Sequence, residues 1–166
     1  MRALVQRVAW AEVEVDGRIV GRIGRGLLVY VGVGSGDGEA DARRLAEKLA
    51  HIRLFEDEAG KINLSVRDAR GGVLVISNFT LMADTRKGRR PDFIAAARPE
   101  EANQLYELFA GELERLLSAE REDGQPGCTV ARGVFRATMQ VRSAADGPVN
   151  VLVDVPADAL QRVGPS

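Results

Sequence analysis

The chain has one cysteine, Cys128, and one histidine, His51, among 166 residues. It therefore contains no internal disulfide framework and no zinc site built from several Cys and His ligands, and no other cofactor is called for. Only one residue could serve as the base of a Ser-His or Cys-His pair. An excess of one charge is also missing. Lys and Arg number 23 and Asp and Glu 24, a net charge of -1. Any contact with nucleic acid must then come from a local patch. No stretch approaches the ~18 uninterrupted apolar residues of a membrane helix, so no membrane partner is expected. The first residues, MRALVQRVAWAEVEVDG, lack an apolar core followed by a small-residue cleavage site. They alternate, which reads as structure and not as a signal. A cytoplasmic protein with a reduced thiol is the expectation.

What is present fits a soluble α/β domain: 45% apolar and 28% charged residues, close to the globular average. Residues 1–155 are expected to form one domain and residues 156–166 a frayed tail. Residues 2–8 and 12–23 read as strands, the second folded back at the turn Asp16-Gly17. Residues 27–34, LLVYVGVG, and 73–77, VLVIS, are apolar runs suited to strands buried on both faces. Between them, Ala42, Leu45, Ala46, Leu49 and Ile52 recur at helical spacing over 39–54. A polar connection with a turn at Glu58-Ala59-Gly60 follows. Pro99, Glu100 and Glu101 start a second helix, 99–118. Residues 120–132 read as a surface loop. Residues 134–142 and 149–155 read as two strands joined by a short connection. The order predicts a single mixed α/β domain in three layers, β/β/α. It has two main helices and antiparallel strand pairs at both ends.

Several motifs can be tested directly. The series Gly32, Gly34, Gly36, Gly38 fails as a phosphate loop, because Asp37 and Glu39 stand where G-x-G-x-x-G needs glycine. His51 lies on the polar side of its helix and reads as a surface residue. Cys128 sits in a polar loop and reads as incidental. Gln6 places an amide on the strand face of Leu4 and Val8, either as a satisfied structural group or as a site residue. Arg7 points the other way. Ser77-Asn78-Phe79-Thr80 ends a buried strand, where α/β sheets place ligands, although an ordinary strand exit has the same residues. Gly147-Pro148 suits a hairpin loop. Arg86, Lys87, Arg89 and Arg90 put four cations in five residues, a solvated run or a phosphate contact.

Taken in order, these segments resemble the D-aminoacyl-tRNA deacylase family over nearly the whole chain. The resemblance rests on Val5-Gln6-Arg7-Val8, Gly26-Leu27-Leu28, Val31-Gly32-Val33, Gly60-Lys61, Ser77-Asn78-Phe79-Thr80-Leu81, Met139-Gln140-Val141 and Asp146-Gly147-Pro148-Val149. It implies a homodimer, free of metal, that hydrolyses the ester joining a D-amino acid or glycine to the 3′ end of tRNA and spares the L-aminoacyl ester. By resemblance, Ser77, Phe79 and Thr80 carry the chemistry, and Asn78 and Gln6 line the pocket. Gly147 and Pro148, joined by a cis bond, reach with Val149 into the other subunit's pocket, and Arg7 holds them there. Asn78, Ala145 and Asn150 stand where the family mostly has Gln, Asn and Thr. A Thr80 nucleophile would need an adjacent base that the sequence does not offer. Amide N–H groups of Phe79 and Thr80, stabilising an oxyanion as water attacks, are the expected alternative. Residues 86–90 are the expected tRNA backbone contact. The competing expectations are a non-catalytic dimeric module that binds RNA 3′ ends or nucleotide, and a deacylase with shifted amino-acid preference.

Overall fold

The computed structural model describes residues 1–86, 88–119, 124 and 126–155. Strands β1 (Arg2–Val15), β2 (Arg18–Ile23) and β3 (Gly26–Gly32) lead into helix α1 (Glu39–His51). Then come β4 (Arg53–Glu56), β5 (Ile62–Ser65) and β6 (Gly72–Ser77). A 3-10 turn (Phe79–Met82) precedes α2 (Pro99–Ser118), β7 (Val130–Arg132) and β8 (Gln140–Asp154). The main sheet runs β2-β1-β3-β6-β7, with β8 added on β1; β4 and β5 pair separately. As predicted, β3 and β6 are parallel and connected through α1. Asp16 and Gly17 both have positive φ, 50° and 76°, which matches the twist of a tight hairpin.

Alternation along the strands builds two cores. Leu27, Val29, Val73 and Val75 face the helices, against Leu45, Leu49, Phe109 and Leu113. Leu28, Leu74 and Ile76 face the other way, against Val8, Ala11 and Val13 of β1 and Ile23 of β2. To close this second core, β2 lies across β6 and β7. A Cβ on Gly21 would sit 2.9 Å from the Arg132 carbonyl oxygen. The result is the expected stack of strand, strand and helix layers.

Four local expectations are corrected. The first strand runs unbroken from Arg2 to Val15. It crosses register shifts against β8 beside Arg7 and Ala9. Arg7 and Val8 are both buried there, so the strand changes the face it buries. The helix predicted to reach residue 54 stops at His51, and Arg53 starts the β4–β5 hairpin inside the supposed polar connection. The loop 120–132 contains β7, and Cys128 is buried, its N–H donating to Leu117 O at 2.8 Å. The last two predicted strands are one, β8, which carries Gly147-Pro148 within it and not in a hairpin loop. Residues 134–139 are not strand. The C-terminal strand is antiparallel as expected, but its partner is β1. The tail expected at 156–166 lies outside the described residues.

Tyr106 ties α2 to the sheet, its hydroxyl donating to Val75 O at 3.2 Å. Burial, helped by the charge of Glu107, pushes its phenol up to about 12. The neutral form is favoured on folding, so this stability is complete below the unfolded value near ~10 and is lost as pH rises toward the folded one. Urea denaturation at pH 9 and pH 11.5 should show wild type losing just under ~2 kcal/mol more than Tyr106→Phe between the two. Equal losses would count against a buried neutral phenol.

Candidate active site

The parallel pair β3 and β6 ends on one side of the molecule, and a cavity of about 470 Å³ opens there. Val31 and Val33 come from β3 and the chain just beyond it, Ser77 from the end of β6. Asn78 and Phe79 begin the 3-10 turn, and Tyr106 projects from α2. Phe135, Arg136, Ala137 and Met139 close the far wall. The turn can cover the strand end because position 32 is glycine. A Cβ there would come within 3.1 Å of Asn78 O and Leu81 Cβ. Backbone bonds Ser35 N–H to Ala95 O and Ala97 N–H to Val33 O, 2.9 and 3.0 Å, fix the wall leading to α2.

Asn78 caps the 3-10 turn. Its Oδ1 accepts from Thr80 N–H at 3.1 Å and also from the Thr80 hydroxyl. This departs from the expectation that both the Phe79 and Thr80 amides stand ready as donors. Thr80 N–H is engaged by its neighbour's side chain. Phe79 N–H is the first of the turn and has no acceptor among the described residues, as helix-start amides generally do not. The Phe79 ring is 59% exposed and meets Phe93 edge-on at 5.1 Å. Among the described residues, Tyr106 and Arg136 are the only titratable ones in the cavity wall, and burial pushes the Tyr106 phenol up to about 12. No carboxylate or imidazole of the described residues stands in the wall to act as a base.

Ser77, Asn78 and Phe79 thus line one cavity. Thr80 follows on the exposed side of the turn, outside the wall. Gln6 is also outside, its Nε2 donating to Asn150 Oδ1 at 3.0 Å. Gly147, Pro148 and Val149 lie on β8, with a cis bond between Gly147 and Pro148. They do not line this cavity in the same chain. Arg7, only 5% exposed, reaches them. Its guanidinium donates to Asp146 O at 3.1 Å and to Leu54 O at 2.9 Å and lies 3.3 Å from the Asp146 carboxylate. In the basic segment Arg86 is paired with Asp84, Arg89 and Arg90 are exposed, and Lys87 lies outside the described residues.

Tyr106 and the wall from residue 135 to 139 carry no local sequence signal of a site: Tyr106 sits at apolar helical spacing on α2, and residues 135–141 alternate as a strand would. A second cavity of about 460 Å³, beside Arg22, Arg25 and Arg70, lies at the opposite end of β6 and holds none of the predicted site residues. Among the described residues, no group of three His, Cys, Asp or Glu is placed to hold a metal ion, and no helix is long and apolar enough to cross a membrane.

A family model for D-Tyr-tRNA(Tyr) deacylase matches residues 4–154. The D-aminoacyl-tRNA deacylase of Anaeromyxobacter dehalogenans is 54% identical over 154 residues, 93% of this chain and 97% of the relative. That of Heliobacterium modesticaldum is also 54% identical, covering 93% and 96%. Among solved structures, a c-Myc DNA unwinding element binding protein superposes with TM-score 0.83 at 36% identity, covering 95% of this chain and all of that one. A probable eukaryotic D-amino acid tRNA deacylase shares the fold at TM-score 0.77 and 19% identity, covering 93% and 98%. With the match spanning both the cavity and the Arg7-held segment, the chain belongs to the D-Tyr-tRNA(Tyr) deacylase family.

Proposed function

We propose that this chain hydrolyses the ester of D-aminoacyl-tRNA and of glycyl-tRNA, releasing tRNA with a free 3′ hydroxyl and the amino acid. The observation that carries the reading is the make-up of the cavity. Among the described residues, an unpartnered amide, Phe79 N–H, belongs to its lining, and no carboxylate or imidazole stands in its wall. An aminoacyl ester is already reactive, so the task is to place it and to stabilise charge. Water adds to the ester carbonyl carbon. The negative charge that develops on the carbonyl oxygen is met by Phe79 N–H, a contribution of roughly 3–4 kcal/mol for one such donor elsewhere. The bond from carbon to the ribose 3′ oxygen then breaks. The water's proton passes to that oxygen, with the neighbouring 2′ hydroxyl able to relay it.

Selectivity against L-aminoacyl esters is assigned to main chain. Carbonyl groups of Gly147 and Pro148 occupy the space an L side chain needs, Val149 adds to the wall, and glycine passes because it has nothing to clash. Within one chain these residues lie three ladders from Ser77, on the far side of β1 from β3, and do not line the cavity. A second copy supplies them, with Arg7 of that copy holding them by its bond to Asp146 O. Arg89 and Arg90, exposed beside the turn, supply phosphate contacts to the tRNA backbone, with Lys87 and Arg86 completing the basic segment.

The test is a side-by-side assay of D-, L- and glycyl-tRNA. The D and glycyl esters should be cleaved on the order of a hundredfold faster than the L ester, a difference of about 2.7 kcal/mol. Comparable rates, or binding without turnover, would refute the reading. Thr80→Ala should keep activity within about tenfold, whereas a loss beyond about a thousandfold would make the hydroxyl the nucleophile. Sedimentation should give a particle of twice the 17.9 kDa chain mass. A monomer that still discriminates D from L would show that the second copy is not needed.

A further inference from the structure

Arg136 is placed where turn chemistry disfavours it. Ala137 N–H donates to Val134 O at 3.2 Å, closing a four-residue turn whose third residue is Arg136. That residue has φ 62°, and a turn with positive φ at its third position normally takes glycine or asparagine. A side chain held in such a conformation away from glycine points to a use that offsets the strain. The surroundings say what the use is. Arg136 is exposed and borders the cavity, and among the described residues it is the one charged residue in the wall. Its guanidinium has no carboxylate or carbonyl partner among the described residues. An unpaired guanidinium at the mouth of an otherwise uncharged cavity is suited to an anion carried by the ligand itself.

We propose that Arg136 binds the phosphodiester on the 5′ side of the terminal adenosine of the tRNA, and so sets how far the 3′ end enters the cavity. This rests on the function proposed above and specifies which group of the substrate is gripped. The phosphate is the nearest fixed negative charge to the ester, and it is present before and after hydrolysis, unlike the product carboxylate. A planar guanidinium can meet two phosphate oxygens at once. The rest of the terminal nucleoside is neutral and needs no countercharge from the wall.

The experiment compares 5′-AMP with adenosine by isothermal titration calorimetry, because the 5′ phosphate reproduces the group in question. Wild type should bind 5′-AMP about tenfold or more tightly than adenosine, the usual range for a hydrogen bond to a charged group. Arg136→Gly should abolish that preference and leave adenosine affinity unchanged, and Arg136→Lys should restore part of it. Arg136→Gly should also raise the melting temperature by about 2–4 °C, because glycine relieves the turn. Equal affinities in wild type would overturn the assignment. So would a phosphate preference that survives in Arg136→Gly, an equal loss for both ligands, or a lowered melting temperature. Hydrolysis of D-aminoacyl-tRNA by wild type is measured separately. Its absence alongside an Arg136-dependent phosphate preference would sink the proposed reaction and not the anion site.

Discussion

The main-chain ladders of β1 carry the molecule. Its first half pairs with β3, its second half with β2, and β8 runs along both. Such a strand can serve two cores only if it changes the face it buries, and the change happens at Arg7 and Val8. The Arg7 guanidinium holds that point by donating to two backbone carbonyls, Leu54 O and Asp146 O, from different parts of the chain. A lysine, with one compact charge, could not span both. Removing the side chain would leave buried carbonyls without donors, the costly side of hydrogen-bond energetics. The same anchoring sets the backbone of β8 just before Gly147.

The site follows from the other main constraint, the parallel pairing of β3 and β6. Parallel strands end together, so Val31, Ser77 and the residues beyond them reach the same edge. There the chain must leave the sheet, and its amides lose their ladder partners. Asn78 takes up one of them, Thr80 N–H, and Phe79 N–H stays open. On the mechanism proposed above, the site works with fixed dipoles and shape in place of a titrating group. This suits an ester that needs positioning more than activation. It also explains how a chain with one exposed histidine can belong to a hydrolase family without using that residue.

Much of this was legible in the residues. Helix α2 was bounded correctly because Pro99 and the acidic first turn mark its start, and a stripe ending at Leu117 marks its buried face. The apolar runs of β3 and β6 and the Asp16-Gly17 turn were equally plain. The β4–β5 hairpin was not. Its strands are only four residues each and break strict alternation, with Leu54 and Phe55 buried side by side, and contacts such as Arg53 to Asn63 at 3.0 Å leave no periodicity. Strand β8 was split in two because Gly147-Pro148 has the composition of a turn. It continues because β1 offers it a ladder on both sides of that pair. Half of the cavity was visible, since polar residues closing a buried strand are a local signal. The other half comes from α2 and from the chain before β8, segments remote in sequence.

Local chemistry alone settled the two helices, the central strands β3 and β6, and that histidine could supply at most one base, because those follow from spacing and composition. Only the tertiary structure decided that Phe79 N–H is open while Thr80 N–H is not, that Arg136 faces a cavity and that Cys128 is buried. It also separated Gly147 from Ser77 within one chain. These depend on which surfaces meet when the sheet curls over itself, and such pairings between distant residues leave no mark in any single stretch of sequence.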